Sequence, residues 1–335
     1  MYTKLAVPLD GSPLAEKALP YAIKMANNLN AELLLLKVSE VHGIRTDTIE
    51  QELIVIKSSE AYLELVRNTI INPDLKLHMA PEKVKTLALY GDPRRDIADM
   101  LPFEGVDMVV MTTHGRTGIS RLVMGSVATS VLQHLKLPVM LIKPANLNHK
   151  ESLEGLLNNS EYELPDPSRL RVVLTLDGSV EAETALKPSL DLVRKLRASL
   201  YLLRVVVPMA PLDYNELYAE YGYDYGTEIA KENKERHEEP YKYLEKIQND
   251  ISSSGVSCVK VIRTGNAVDE IINFANMVQA SMLVMATHAR GPLGQVLLGS
   301  TANEVVRRSN LPVVLVHTNE ALTQPELAQV KSLQK

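Results

Sequence analysis

The most constraining feature of this sequence is that one unit is written twice. The segment LAVPLDGSPLAEKALPYAIKMANNLNAELLLLKV begins at residue 5 and returns at residue 172 as VVLTLDGSVEAETALKPSLDLVRKLRASLYLLRV, an offset of 167. Further on, VMTTHGRTGISRLVMGS (110–126) returns as VMATHARGPLGQVLLGS (284–300), with seven of seventeen positions identical and an offset of 174. The repeat indicates two homologous domains in tandem, with seven extra residues inside the second.

The repeat predicts domain boundaries and leaves a few segments over. We place the first domain at 1–145, a linker at 146–169, the second domain at 170–318 and a C-terminal tail at 319–335. The linker is polar, rich in Pro and Asn, and has room for one short helix. The segment 211–226 holds five of the thirteen tyrosines. It is either a cover for the sheet or a surface that stacks on a base or faces a partner.

Composition excludes several classes of protein. With no Trp and two Phe among 335 residues, the cores must be aliphatic. No apolar run approaches the ~20 residues of a membrane-spanning helix, and the opening MYTKLAVPLD does not resemble a secretory signal, so we expect a cytoplasmic protein. A net charge of -5 gives no basic excess, so nucleic acid is not an expected partner. The single cysteine, Cys258, excludes an intramolecular disulfide and a cysteine-cluster metal site.

In each copy short apolar runs alternate with amphipathic stretches. In the first copy LAVPL, AELLLLKV, VKTLALYG, VDMVVMT and LPVMLIK are predicted strands. The stretches between them are predicted helices, one over 47–70 and one opened by Ser12 as cap with Pro13 at its first position. Continuous apolar strands are typical of a parallel sheet buried on both faces. The pattern predicts two doubly wound α/β domains, each a parallel five-stranded sheet covered by helices.

Ligands bind to such sheets beyond the carboxyl ends of the strands, where the winding direction reverses. In the first copy Asp10 ends the first strand, Val38 ends the second, and Met111 lies at the end of the strand before the last helix. The equivalent residues of the second copy are Asp177, Val205 and Met285. A carboxylate at this edge can accept hydrogen bonds from a ribose hydroxyl or a base.

Gly-Ser pairs stand at the start of two amphipathic helices, at Gly125-Ser126 and Gly299-Ser300. We expect the serine to cap the helix while backbone N–H groups and the helix dipole face outward, which favours an anion. Glycine lets the backbone approach a phosphate closely, and Arg116 and Arg290 on the preceding loops could supply positive charge. Taken by itself, the pattern fits a nucleotide site or a simple helix cap.

These residues resemble the universal stress protein (UspA) family. Nucleotide-binding members of that family carry G-x2-G-x9-G-[ST] after the fourth strand. The first copy reads Thr112-x2-Gly115-x9-Gly125-Ser126, and the second reads Ala286-x2-Ala289-x9-Gly299-Ser300. The spacing is intact in both copies, whereas not all the glycines are. The resemblance implies a Rossmann-like, adenine-nucleotide alpha-hydrolase-like fold in each half of a tandem member.

The resemblance also implies a ligand, ATP or a related adenine nucleotide, with Mg²⁺ left open as an accompanying ion. Adenine would lie near Asp10 and Val38. The two alanines of the second motif would narrow that site, so the first copy is expected to bind better. The candidate binding residues are Leu9, Asp10, Val38, Met111, Thr112, Gly115, Arg116, Gly125, Ser126 and Val127 in the first copy, and Asp177, Val205, Met285, Ala286, Arg290, Gly299, Ser300 and Thr301 in the second.

The sequence contains no evident catalytic constellation, since Walker A, GxGxxG and G-x-S-x-G motifs are all missing. We assign no catalytic residue and no metal ligand. Two alternatives to a regulatory nucleotide-binding protein stay open. One is a slow nucleotide hydrolase that uses His114 as a base, and the other is a nucleotide-free stress scaffold. The resemblance further implies that LPVMLIK and LPVVLVH pair antiparallel within the chain as a pseudo-dimer, and a homodimer of chains is left open.

Overall fold

The computed structural model of the chain describes residues 2–39, 49–113, 124–144, 151–159, 169–207, 226–252, 255–287 and 298–317, with the backbone alone over 226–237. The first copy contains β1 (Lys4–Pro8), α1 (Pro13–Glu16), α2 (Leu19–Leu29), β2 (Glu32–Ser39), α3 (Ile49–Ile70), a 3₁₀ turn (Pro81–Lys83), β3 (Val84–Tyr90), α4 (Pro93–Phe103), β4 (Met108–Thr112), α5 (Ser126–His134) and β5 (Val139–Ile142). The predicted strands of this copy are confirmed. The predicted helix over 47–70 is confirmed from Ile49, since residues 47 and 48 lie outside the described part.

A short helix, α6 (Leu153–Asn158), precedes the second copy. That copy contains β6 (Arg171–Thr175), α7 (Val180–Glu183), α8 (Leu186–Leu196), β7 (Ser199–Val206), α9 (Gly226–Ser252), β8 (Cys258–Thr264), α10 (Ala267–Met277), β9 (Met282–Thr287), α11 (Ser300–Arg308) and β10 (Val313–His317). Its strands and helices therefore follow the same order as those of the first copy.

The strands form one continuous ten-stranded sheet in the order β3-β2-β1-β4-β5-β10-β9-β6-β7-β8. Within each copy the five strands are parallel. The copies join where β10 pairs antiparallel with β5, with Val314 opposite Met140. The predicted fold, two doubly wound five-stranded domains, is confirmed, and so is the antiparallel pairing of the last strands within the chain. This pairing removes the edges of β5 and β10 from solvent. An open apolar strand edge would favour aggregation.

Two aliphatic clusters cover the two faces of the sheet, and each draws residues from both copies. One lies beneath α2, α3, α8 and the described part of α9, and includes Leu5, Leu63, Leu174 and Leu244. The other lies beneath α4, α5, α10 and α11, and includes Val131 and Val305. Strand β4 is buried along its whole length, as expected for a parallel strand covered on both sides.

The predicted linker contributes to the core of the first copy. Helix α6 is capped by Ser152, whose hydroxyl accepts a hydrogen bond from the Gly155 N–H at 3.2 Å. Leu156 and Leu157 are buried, and the Leu77 N–H donates to the Leu157 carbonyl at 3.0 Å. The short helix expected in the linker is therefore present, and it packs on α3 rather than spanning solvent.

Candidate functional site

Strand order places the candidate site. In the first copy β1 lies between β2 and β4, and in the second β6 lies between β7 and β9. The chain winds in opposite directions from these central strands, and sheets of this kind bind ligands beyond the carboxyl ends of such strands. The described candidate residues of each copy lie along this edge or at the start of the helix that follows it.

The turn after β1 is closely tied to β2. The Leu9 N–H donates to the Leu36 carbonyl at 2.7 Å, which brings Asp10 beside the end of β2. The Asp10 carboxylate accepts from the Ser12 N–H at 2.8 Å, and Gly11 between them has φ 87, a left-handed conformation that glycine adopts without a steric penalty. Ser12 caps α1 with Pro13 in the first turn, as predicted.

The start of α5 is tied to the end of β4. The Gly125 N–H donates to the Thr113 carbonyl at 2.8 Å. Gly125 is itself the N-cap, with φ -59 and ψ 149 and no side-chain cap hydrogen bond, and Ser126 is the exposed first helical residue. The expectation that Ser126 and Ser300 cap these helices was wrong. Each preceding glycine has the extended backbone of an N-cap residue, so each serine is the first residue of its helix. The serine hydroxyl is therefore not at the capping position.

The second copy repeats this geometry, with a further hydrogen bond from the Ser179 hydroxyl to Asp177 at 2.6 Å and with a difference in exposure. The Leu176 N–H donates to the Leu203 carbonyl at 2.8 Å, and Asp177 accepts from the Ser179 N–H at 2.9 Å. Gly299 is the N-cap residue of α11 and makes no side-chain cap hydrogen bond. Asp177 is exposed, whereas Asp10 is partly buried. The turn of the first copy is therefore the more enclosed of the two.

The other described candidates lie near the carboxyl ends of their strands or in the first turn of the helix that follows. Val38, Met111, Thr112 and Met285 are buried, and Val127, Val205, Ala286 and Thr301 are partly buried. The candidates Gly115, Arg116 and Arg290 lie outside the described residues, as do His114, His288 and Ala289. The tyrosine-rich segment through residue 225 and the predicted tail 319–335 also lie outside them.

Sequence reasoning missed a cluster of polar side chains directly beneath the Asp10 turn. The ammonium of Lys37, on β2, donates to the Asp10 carbonyl at 3.0 Å and lies 5.4 Å from the centre of the Tyr62 ring. The Tyr62 hydroxyl donates to a Glu16 carboxylate oxygen at 2.8 Å. Burial raises the pKa of Glu16, the hydrogen bond from Tyr62 lowers it, and the nearby Asp10 charge raises it, so that the pKa stands above its usual range.

The second copy has the same kinds of side chain in a different arrangement. Arg204 occupies the position of Lys37, 167 residues later, and its guanidinium lies 5.0 Å from the Tyr243 ring. Burial and the charge of Glu183 raise the pKa of Tyr243. Arg204 pairs with Glu239 of α9 at 3.1 Å, and its Nη1 is buried without a hydrogen-bond partner among the described residues. A signal for both clusters was present in the sequence, since a cation interrupts the apolar runs LLLLKV and LYLLRV at the same place.

The described residues contain no group of three or more His, Cys, Asp or Glu side chains that could hold a metal ion. Within the same residues, no helix combines the length and apolarity that crossing a membrane requires.

Comparison with known proteins identifies the family. The model of the universal stress protein family matches residues 1–143 and again residues 169–317. The chain belongs to the universal stress protein family. Because the match occurs twice and the strands repeat in the same order, it is a tandem member with two universal stress protein domains.

Single-domain relatives match one copy at a time. The universal stress protein YxiE of Bacillus subtilis is 28% identical over 151 residues, covering 43% of this chain and all of the relative. The universal stress protein MJ0577 of Methanocaldococcus jannaschii is 31% identical over 159 residues, covering 44% of this chain and 98% of the relative. A crystal structure of a universal stress protein from Archaeoglobus fulgidus covers 95% of this chain and all of that chain, at 19% identity and a TM-score of 0.63. That similarity shows a shared fold over most of the chain.

Proposed function

We propose that this tandem universal stress protein binds an adenine nucleotide, ATP in the first place, at the carboxyl edge of its first copy. We further propose that bound nucleotide serves a regulatory or stress-protective role. Family membership supports the proposal, and so does the convergence of Asp10, Val38 and the start of α5 on one edge of the sheet. The observation that carries it is the N-terminus of α5, whose N-cap residue Gly125 has no side chain to cap the helix.

That N-terminus is suited to a phosphate. Gly125 offers no side-chain acceptor to the first-turn N–H groups, and the residue that follows is exposed. Backbone N–H groups and the positive end of the helix dipole together favour an anion. The hydrogen bond from Gly125 to Thr113 keeps this helix end beside the carboxyl end of β4. A triphosphate bound there would leave its nucleoside directed toward β1 and β2.

The nucleoside end of the proposed site is the Asp10 turn. Its carboxylate already accepts one N–H, from Ser12, and a carboxylate has further lone pairs for a ribose hydroxyl or an exocyclic amine. Val38 is buried on the neighbouring strand and would provide apolar contact for a base. We assign the nucleoside to this end because phosphate and carboxylate repel each other.

The second copy is proposed as the weaker site. Ala286 and Ala289 stand where nucleotide-binding members of the family have glycine, and each adds a methyl group where backbone should approach the ligand. The greater exposure of Asp177 should also weaken nucleotide binding at the second site, because water competes for the lone pairs of its carboxylate. Mg²⁺, if it accompanies ATP, would be held mainly by the phosphates, since the described residues offer no carboxylate or histidine cluster for it.

Calorimetric titration of ATP into paired variants tests this assignment. Ser126→Asp places a negative charge at the helix start, where aspartate stabilises the helix itself but repels a phosphate. We expect it to abolish binding at the first site without lowering the melting temperature. Gly125→Glu should act likewise. The matched variant Ser300→Asp makes the same change in the second copy and should leave first-site binding intact. Unchanged ATP affinity in Ser126→Asp would overturn the assignment.

A further inference from the structure

We propose that Lys37 is a positioning residue that holds Asp10 in place for the nucleoside, and that the second copy differs because its arginine pairs with a residue of the covering helix. The inference rests on the proposed function, because Asp10 matters only if the first copy binds a nucleotide. It adds a reason, separate from the motif alanines, for the two sites to differ.

The burial of Lys37 is the first argument. Lys37 is 9% exposed between the buried residues Leu36 and Val38, and burying an ammonium costs free energy unless polar partners compensate. Its partners include the Asp10 carbonyl at 3.0 Å and the face of the Tyr62 ring. An apolar side chain could fill this position without that cost. What the ammonium adds is a fixed link from β2 to the backbone of Asp10.

The rest of the cluster keeps the ammonium in place. Tyr62 lies on α3 and is held through its hydroxyl by Glu16 of α1. The three side chains therefore come from three elements that surround the turn. A turn fixed before the ligand arrives loses less conformational entropy on binding. Since Lys37 contacts the backbone of Asp10, its effect on the ligand passes through the position of the carboxylate.

The second copy shows what changes when the cation differs. Arg204 packs against the turn that contains Asp177, since a Cβ added at Gly178 would lie 2.9 Å from both terminal guanidinium nitrogens. One of those nitrogens pairs with Glu239, a residue of α9 whose side chain is 71% exposed, and the other is buried without a hydrogen-bond partner among the described residues. The cation of this copy thus links β7 to the covering helix.

The test compares ATP with inorganic tripolyphosphate, which lacks the nucleoside. Both affinities are measured on the full chain by competition against a fluorescent ATP analogue. Lys37→Met removes the ammonium and keeps an unbranched side chain one atom shorter, Lys37→Arg keeps a cation, and Arg204→Met is the matched control in the second copy. We expect Lys37→Met to weaken ATP binding roughly tenfold, the value of one hydrogen bond to a charged group. Tripolyphosphate affinity should stay within about twofold of wild type.

The remaining outcomes separate this inference from the proposed function. Lys37→Arg should recover most of the ATP affinity, and Arg204→Met should leave the first site unchanged. If Lys37→Met lowers the melting temperature, Lys37→Gln repeats the comparison with a neutral polar side chain of similar length. Equal loss for ATP and tripolyphosphate, or no loss for ATP, would overturn the positioning role while the nucleotide site stands. Wild-type protein that binds neither ligand would overturn both.

Discussion

The hydroxyl of Tyr2 donates a hydrogen bond of 3.0 Å to the main-chain carbonyl of Pro188, and this bond ties the start of the first copy to α8 of the second. The link runs in both directions, since the Lys195 ammonium donates to the Tyr2 carbonyl at 3.3 Å. Tyr2 is buried, and burial, together with the charges of Asp191 and Asp107, raises the pKa of its hydroxyl. The hydroxyl therefore stays protonated and available as a donor.

Removing this hydroxyl should weaken the contact between the two copies. We expect Tyr2→Phe to lower the free energy of unfolding by about 1 kcal/mol, because a partly buried hydrogen bond between the two copies is lost. Urea denaturation at neutral pH measures the change. Tyr90→Phe, on an exposed residue of the edge strand β3, is the matched control and should stay within about 0.5 kcal/mol of wild type. Equal effects of the two changes would show that the Tyr2 bond does not stabilise the contact.

Helix α6 should be part of the stable core. Leu157 is fully buried against the first copy, so Leu157→Ala should cost about 2–5 kcal/mol through lost burial and the cavity it leaves. Leu65→Ala makes the same chemical change at a residue of α3 that is 67% exposed, and should have almost no effect. Denaturant midpoints of the two variants check the expectation. A Leu157→Ala midpoint equal to that of wild type would mean that α6 is not docked.

The contact between the copies should also be sensitive to acid through His317, at the end of β10. Its side chain is buried, its Nε2 has no hydrogen-bond partner among the described residues, and burial lowers its pKa, although a hydrogen bond with the backbone of Leu132 in α5 raises it. The unfolded chain binds a proton near the ordinary pKa of about 6.5, above the folded value. Stability should therefore fall as the pH drops below about 6.5, and this contribution levels off below the folded pKa.

Substitution of His317 isolates that contribution. In His317→Leu the fall in melting temperature between pH 7 and pH 5 should be smaller than in wild type. His134→Gln, at an exposed histidine of α5, should keep the wild-type pH dependence. The account of His317 fails if both variants show the same pH dependence as wild type.

The sequence predicted the sheet and the place of the candidate site, because apolar runs and their carboxyl ends are local features. It did not predict the burial of Leu157, since a six-residue helix is too short to show a periodic pattern. The Lys37 cluster was missed because Glu16, Lys37 and Tyr62 lie far apart in the chain, and only the tertiary fold brings them together. The N-caps of α5 and α11 were predicted one residue too late, at the serine instead of the glycine. Both residue types are common at an N-cap, so the sequence alone does not decide between them.

Restoring glycine to the second motif should open the weaker site. The double variant Ala286→Gly and Ala289→Gly removes the two methyl groups that we hold responsible, and glycine tolerates a close approach of ligand to backbone. We expect the ATP stoichiometry to rise from about one to about two per chain in calorimetry. The same titration on wild type is the reference. A stoichiometry that stays near one would show that the alanines are not what closes the second copy.

The nucleotide content of the freshly purified, denatured protein tests the central claim most directly. Chromatography and mass spectrometry of the released fraction give the identity of the nucleotide and its amount per chain. We predict ATP at about one per chain, and a rise in melting temperature when ATP is added to nucleotide-free protein. Protein that carries no nucleotide, and whose melting temperature does not move with added ATP, would contradict the account.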